Sequence, residues 1–237
     1  VFNLSDLSNK EEARKNLKVN YQIEDFLNYG FFNTADLHGV GGSYIYPAYA
    51  LSITDRNSQG VFIATNGSNS TAGASAAMRT IAADSFNLRN GLPYYFKIAT
   101  TATGNCIYRV GMCNGTFNSE DDIANGAYFE YHSSSGNTWY ACTASGNSRT
   151  KVNTFLTGTH TLNWRWLAIS GSATSVKFYN ISGSYTGVTN ITTNIPHSNT
   201  GDVRPFISCV ANGAVWQGIY IDKFLYPIES DSLPINI

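Results

Sequence analysis

Apolar and polar residues alternate along most of the chain in short runs, a pattern typical of β-strands whose two faces meet different surroundings. In one run, Val176 and Phe178 alternate with Ser175 and Lys177. Because no long helical pattern interrupts these runs, the sequence predicts two packed antiparallel sheets or a barrel. Thirteen runs are predicted to be strands: residues 44–54, 60–65, 78–83, 93–101, 105–113, 126–132, 138–144, 148–154, 160–170, 174–180, 185–192, 203–211 and 215–226.

Turn signals separate many of these strands. Gly, Asn and Ser cluster at residues 133–136, 144–147, 170–172 and 212–213, and they are the residues that suit tight turns between antiparallel strands. The predicted organisation has four parts, which are an N-terminal helical segment at 1–20, a connector at 21–42, a β-sandwich domain at 43–228 and a C-terminal tail at 229–237.

The N-terminal segment predicts one short helix. Ser8 and Glu11 have the spacing of a capping box, in which each side chain satisfies a free backbone N–H at the start of a helix. About eight helical residues would follow, fewer than the dozen or more that an isolated helix needs in water. The helix therefore needs a further surface to cover Leu4, Leu7, Ala13 and Leu17, either its own domain or symmetry copies of the chain.

This segment also resembles a motif of bacteriophage tail fibres and other virion appendages. The sequence NLSDL begins at Asn3, and Ala13, Arg14, Asn16 and Leu17 follow at the spacing of that family, which commonly has glycine where this chain has Lys18. In such proteins the motif joins a trimeric shaft to the next domain. The resemblance implies a virion protein that forms a homotrimer and contacts other virion proteins, with Leu4, Leu7, Ala13 and Leu17 at the trimer contact.

A second resemblance covers much of residues 93–226. Residues 126–154 look like the central hairpins of concanavalin A-like, laminin G-like sandwiches of phage tail and virion proteins, and residues 218–226 resemble the closing strand of that family. The fold class implied is all-β, a concanavalin A-like antiparallel β-sandwich (jelly roll), here with a short N-terminal helical segment. The resemblance implies a receptor-facing or structural role on the virion and transfers no catalytic residue.

The amino-acid composition argues against some classes of binding partner. Charged residues are 13% of the 237 and the formal net charge is −1, so there is no electrostatic case for binding nucleic acid or an anionic membrane. No run approaches the roughly 18 apolar residues of a membrane span. The four cysteines lie among apolar neighbours and are predicted to be buried thiols, with Cys106 and Cys113 on opposite faces of one strand.

Candidate catalytic residues are few. A glycan hydrolase needs two carboxylates facing one cleft, and the E-x-D-x-x-E strand of sandwich glucanases is absent. Glu130 has no second carboxylate two or four residues later in its strand, so it is expected to be a structural or surface residue. We therefore expect a protein that is not an enzyme.

Residues suited to binding sugars are more numerous than candidate catalytic residues. Sugar rings stack on Trp and Tyr, and the candidates are Trp139, Tyr140 and Trp216, with Asn137 beside them. Trp139 and Tyr140 fall on opposite faces of their strand, so one of them points outward. Two further tryptophans share one face of a strand and are expected in the core, Trp164 and Trp166.

Metal binding has one weak candidate. No cofactor is expected, but the acidic loop residues Glu120, Asp121 and Asp122 could bind Ca²⁺, which takes oxygen ligands. Their spacing matches no EF-hand, and a solvated acidic turn is the default interpretation.

Three functional hypotheses remain open at this point. The first is a trimeric, non-enzymatic tip or accessory domain of a phage tail fibre that recognises a host surface glycan or receptor. The alternative is a structural virion protein, such as a capsid fibre or decoration domain, without a glycan ligand. A weaker alternative is a polysaccharide depolymerase.

Overall fold

The computed structural model describes fifteen strands in two antiparallel sheets. The residues described are 20–25, 38–40, 43–47, 61–65, 74–79, 87–100, 106–114, 123–132, 138–157, 164–182, 185–196, 203–211 and 217–228. The strands are β1 Asn20–Asp25, β2 His38–Val40, β3 Ser43–Pro47, β4 Val61–Thr65, β5 Ala74–Arg79, β6 Pro93–Thr100, β7 Cys106–Asn114, β8 Asn125–His132, β9 Thr138–Ser145, β10 Ser148–Thr157, β11 Arg165–Gly171, β12 Val176–Ser182, β13 Tyr185–Ile191, β14 Arg204–Ala211 and β15 Gln217–Ile228.

The strand order mixes early and late parts of the chain. The eight-stranded sheet runs β13-β12-β11-β6-β15-β4-β3, with β1 also paired to β15. The seven-stranded sheet runs β10-β9-β8-β7-β14-β5-β2. The last two strands of the chain, β14 and β15, therefore lie inside the two sheets rather than at their edges.

Strand β15 connects three neighbours. It pairs with β6 on one side, and on the other side its first half pairs with β4 and its second half with β1. The register against β6 shifts between Ile221 and Lys223, so Asp222 lies in a bulge. A bulge of this kind bends the strand and increases its local twist.

Apolar residues that alternate along the strands fill the space between the sheets. Phe96 and Ile98 of β6 face Val110 of β7 and Phe129 of β8 in one continuous cluster, and all four are buried. Phe129 packs edge-on against Phe178 of β12, with ring centroids 5.3 Å apart. Aromatic pairs of this geometry add to the stability from buried area.

Tight turns follow the local chemistry of the sequence. The β9–β10 hairpin closes through Gly146 and Asn147, which have φ values of 57° and 67°. Glycine and asparagine adopt this left-handed region more readily than other residues, so the predicted turn is confirmed. A one-turn 3₁₀ helix, Leu88–Asn90, is capped by the Asn87 side chain, which accepts a hydrogen bond from the Arg89 N–H.

The structure confirms the predicted antiparallel sheets but departs from the predicted bounds, for example in β5, which begins at Ala74 rather than at residue 78. Residues 21–42 were expected to be a connector, but β1 and β2 lie largely within them and belong to the two sheets. The N-terminal helical segment and the tail from residue 229 lie outside the described residues. All four cysteines are buried thiols, as predicted, and Cys106 and Cys113 lie on opposite faces of β7.

Candidate functional site

Charged side chains gather on the outer face of the seven-stranded sheet. The residues of β7 and β8 that point away from the core include Arg109 and Glu130, which are directly opposite each other in the register. Glu130 is in turn opposite Tyr140 of β9. Two basic residues of β10, the next strand, complete a group that we call the Glu130 cluster, formed by Arg109, Tyr128, Glu130, Tyr140, Arg149 and Lys151.

Glu130 is the centre of this cluster. Its Oε2 accepts a hydrogen bond from Arg109 Nε at 2.7 Å, and its Oε1 accepts one from Lys151 Nζ at 2.7 Å. Arg149 Nη1 lies farther away, 3.4 Å from Oε2. Because Glu130 is only 1% exposed, these three cations replace the water that a carboxylate would otherwise hold.

The cations decide the protonation state of Glu130. Burial by itself would raise the pKa of this carboxyl, but the charge of Arg109 and the hydrogen bonds from Lys151 and Arg109 outweigh burial and hold the pKa below its ordinary value. Glu130 is therefore ionised at neutral pH. An ionised, triply paired carboxylate is a poor proton donor and a good anchor for the surrounding basic groups.

The outer rim of the cluster faces solvent. The side chains of Arg149 and Lys151 are 31% and 27% exposed, whereas that of Arg109 is 4% exposed. Lys151 Nζ also lies 4.2 Å from the ring centroid of Tyr140, a cation–π contact that fixes the half-buried ring. The rim thus places a half-buried aromatic ring beside two partly exposed cations.

Tyr128, a member of the cluster, lies among small residues and buried rings. Tyr128 packs edge-on against Phe206, with centroids 5.9 Å apart, and both lie in an apolar group with Cys142. Desolvation raises the pKa of Tyr128, so its hydroxyl remains protonated. Gly111, opposite Tyr128 in the register, leaves no room for a side chain, since a Cβ there would come within 2.7 Å of Tyr128 Cβ.

A second polar group lies on the outer face of the eight-stranded sheet. Lys97 Nζ is 2.7 Å from Asp222 Oδ2 and 5.2 Å from the centroid of the Trp164 ring, which packs edge-on against Tyr220. Trp166, opposite Lys97 in the register, is half-buried on the same face. This group is smaller than the Glu130 cluster and has one cation paired with one carboxylate.

Two predictions about tryptophans need correction. Trp139 was a candidate ligand contact, but it is 2% exposed and packs against Tyr131 in the core, so Tyr140 is the outward member of the pair. Trp164 and Trp166 were expected in the core, yet both are only partly buried. Leu167 and Ile169 bury the inward face of β11 instead, and alternation then places Trp166 outside.

Other predicted residues lie outside the described residues. This holds for the candidate ligand contacts Asn137 and Trp216, for the calcium candidates Glu120, Asp121 and Asp122, and for the trimer contacts Leu4, Leu7, Ala13 and Leu17.

Within the part of the chain that the structure describes, no three His, Cys, Asp or Glu side chains are grouped so that they could hold a metal ion. No helix among those same residues has the length and apolar character needed to cross a membrane.

Solved structures share the fold at low sequence identity. The Bacillus licheniformis β-glucanase matches with a TM-score of 0.55 and 13% identity over 87% of this chain and 97% of its own. The catalytic domain of an endo-1,3-β-glucanase from Thermotoga petrophila RKU-1 matches with a TM-score of 0.57 and 13% identity, over 90% of this chain and 99% of its own. The lumenal domain of VIP36, bound to Ca²⁺ and mannose, matches with a TM-score of 0.55 and 10% identity, over 92% of each chain. No family model and no curated protein matches the sequence.

These similarities establish the fold as a concanavalin A-like jelly roll, as predicted. They also contradict the expectation that the protein is not an enzyme, because solved glucanases have this same architecture. Acids spaced along a single strand are only one way to bring two carboxylates to one cleft. The sheet instead brings together residues of neighbouring strands, as Arg109 and Glu130 show, so spacing along one strand excludes no active site.

Proposed function

We propose that the protein recognises a glycan on the outer face of its seven-stranded sheet, at the rim of the Glu130 cluster. The observation that carries this proposal is the half-buried Tyr140 ring held beside two partly exposed cations. A tyrosine ring offers an apolar face to the C–H face of a sugar. Charged groups beside it form stronger hydrogen bonds to hydroxyl oxygens than neutral groups do.

The buried part of the cluster supports such binding by fixing geometry. Glu130 holds Arg109 and Lys151 at 2.7 Å each, so Lys151 is oriented before a ligand arrives. Preorganised side chains lose less conformational entropy on binding, which favours affinity. Glycan-binding and glycan-cleaving proteins among the solved structures with this fold support a carbohydrate ligand in general.

The test is a glycan array with two matched variants. We expect Tyr140→Ala to weaken binding by roughly tenfold, equivalent to about 1.4 kcal/mol, because it removes the ring and its contact with Lys151. Trp166→Ala removes a half-buried aromatic from the opposite sheet and is expected to leave binding unchanged. Loss of binding in Trp166→Ala alone would move the site to the other face, and equal loss in both variants would contradict the assignment of the site to Tyr140.

We further propose that the protein belongs to a phage virion, as a trimeric tail-fibre tip or accessory domain whose glycan is on the host surface. The support is the NLSDL motif with Ala13, Arg14, Asn16 and Leu17 in the sequence. Light scattering is expected to give three times the chain mass. A purely monomeric protein at micromolar concentration would contradict the trimer. Binding to virions without any effect on adsorption to host cells would favour a structural virion role instead.

A glycoside hydrolase is the second candidate function, and the fold shared with the glucanases favours it. Glu130 is the only carboxylate of the seven-stranded sheet among the described residues. Its lowered pKa suits an ionised role rather than proton donation. The measurement is the release of reducing ends from host polysaccharide, with and without Ca²⁺. No release under either condition would leave glycan binding as the function.

A further inference from the structure

We propose that the protein has a second binding site, at one end of the interior between the two sheets, where Arg165 and Asn180 bind a small hydroxy acid. Such a molecule has a carboxylate group and a hydroxyl group on the neighbouring carbon. The site lies on the inner face of the eight-stranded sheet. It is therefore separate from the rim of the Glu130 cluster and does not rest on the function proposed there.

The strand register places both side chains on the inner face. Arg165 begins β11 and lies opposite Ile98 of β6, whereas Asn180 of β12 lies opposite Leu167. Ile98 and Leu167 belong to the buried core, and residues directly opposite each other share a face of the sheet. Because Arg165 is two residues before Leu167, it is a diagonal neighbour of Asn180, at a separation of about 7–8 Å that long side chains can span.

Each of the two side chains has a buried polar atom. Arg165 Nη1 and Asn180 Oδ1 are shielded from solvent, and neither has a hydrogen-bond partner within the described part of the chain. Burial without a partner leaves the loss of hydration uncompensated, so folded proteins seldom retain such groups unless something else binds them. Both residues as a whole are half-buried, so a small molecule can reach the pair from solvent.

The charge of Arg165 calls for an anion. Burial lowers the pKa of its guanidinium, and no carboxylate of the described residues opposes this effect. An arginine side chain nevertheless stays protonated. The stretches of sequence that join β6 to β7, β10 to β11 and β12 to β13 are residues 101–105, 158–164 and 183–184, and none of them contains Asp or Glu. The anion that completes the site therefore comes from a ligand.

The two unpartnered atoms define the chemistry of that ligand. Arg165 Nη1 carries N–H donors, and a guanidinium forms strong, planar hydrogen bonds with a carboxylate. Asn180 Oδ1 is an acceptor and needs a donor such as a hydroxyl group. A 2-hydroxy acid has the two groups on adjacent carbons, so one small molecule satisfies both side chains.

The test is an NMR titration of the folded protein that follows the backbone amides of Arg165 and Asn180. The probe is D-gluconate, a hydroxy acid. Acetate supplies the carboxylate alone, and methyl α-D-glucoside supplies hydroxyl groups alone. We expect gluconate to shift both signals saturably, acetate to bind about fivefold more weakly because one hydrogen bond is missing, and the glucoside to shift neither signal.

Two results of the titration would contradict the site. The absence of a saturable shift with gluconate would overturn the proposal and assign both buried atoms to ordered water. Equal affinities for acetate and gluconate would overturn the hydroxy acid as the ligand. Binding on the glycan array without gluconate binding here would remove this site and leave the proposed function intact.

Arg165→Gln tests the role of the charge. It is expected to weaken gluconate binding by about tenfold, since hydrogen bonds to charged groups contribute more than neutral ones. Lys177→Gln is the matched control, because Lys177 is exposed on β12, the strand of Asn180, and the substitution changes the net charge equally. The control is expected to bind gluconate normally. Equal loss in both variants would show attraction of the anion to the whole molecule and overturn the site.

Asn180→Asp gives an independent check. It places a carboxylate beside Arg165 inside the protein, so the guanidinium gains a partner and a competitor for the ligand. We expect a higher melting temperature at neutral pH and the loss of gluconate binding. Gluconate binding with unchanged affinity in this variant would overturn the assignment to this pair of residues.

Discussion

Replacing Glu130 with glutamine is expected to destabilise the protein strongly. The substitution keeps the size of the side chain and removes its charge, so Arg109, Arg149 and Lys151 lose the carboxylate that lies among them. The loss of favourable electrostatic energy is largest for Arg109, because its side chain is only 4% exposed and its Nε lies 2.7 Å from the carboxylate. At a charge separation of about 4 Å and an effective dielectric constant of about 20, the lost attraction is about 4 kcal/mol.

This value agrees with the roughly 3–5 kcal/mol typical for breaking a buried ion pair by removing one partner. In a domain of this size, each kcal/mol shifts the melting temperature by about 2–4 °C. Glu130→Gln is therefore expected to lower the melting temperature by about 6–20 °C at neutral pH. Urea unfolding followed by tryptophan fluorescence measures the same loss as a change in midpoint at constant slope.

The destabilisation caused by Glu130→Gln depends on pH. The pKa of Glu130 is lower in the folded protein than its ordinary value of 4.5, so its contribution to stability is complete above that value. It is lost as the pH falls through the lower pKa of the folded state. The difference between the wild type and Glu130→Gln is thus constant near neutral pH and narrows in acid.

A double variant gives the control. Arg109→Met with Glu130→Leu replaces the buried pair by apolar groups of similar size and is expected to be more stable than Glu130→Gln alone. A loss below about 1 kcal/mol in Glu130→Gln at neutral pH, or a difference that stays constant into acid, would refute the view that the cluster depends on this carboxylate.

Three further predictions concern the packing around the site. Gly111→Ala is expected to cost about 1–3 kcal/mol in urea unfolding, because its Cβ would lie 2.5 Å from the Ala127 carbonyl oxygen; an unchanged midpoint would contradict this packing. Gly146→Ala is expected to cost about 1–2 kcal/mol because φ there is 57°, whereas Asn147→Gly is expected to be near neutral. Burial raises the pKa values of the Cys106 and Cys142 thiols. A thiol reagent such as DTNB at pH 8 is therefore expected to label these two residues only after unfolding. Rapid labelling of the native protein would show that they are accessible.

Much of the fold could be predicted from the sequence because the strands carry a clear alternation. Leu167 and Ile169 point into the core, and so do Val176 and Phe178, as period-2 patterns require. Strand β1 was missed for a physical reason. Its sequence NYQIED is mostly polar, and what places it in the sheet is pairing with β15, about 200 residues later in the chain, which no local pattern contains.

The candidate site was harder to predict. Alternation showed that only one of Trp139 and Tyr140 points outward, but the choice between them required knowing which face of β9 meets the other sheet. The Glu130 cluster was missed because its members come from four strands and meet only through the register. One signal was present in the sequence: Arg109 and Glu130 each interrupt a strongly apolar strand with opposite charges, as a buried ion pair would.

The position of the last two strands has a consequence for how the chain folds. β14 separates β7 from β5, and β15 separates β6 from β4, so neither sheet is continuous until residues 204–228 are available. Earlier hairpins such as β9–β10 can form locally during synthesis. Closure of the sandwich, by contrast, joins segments far apart in sequence, which slows folding. The nascent protein therefore carries exposed strand edges until translation reaches β15, and during that interval it is most dependent on chaperones.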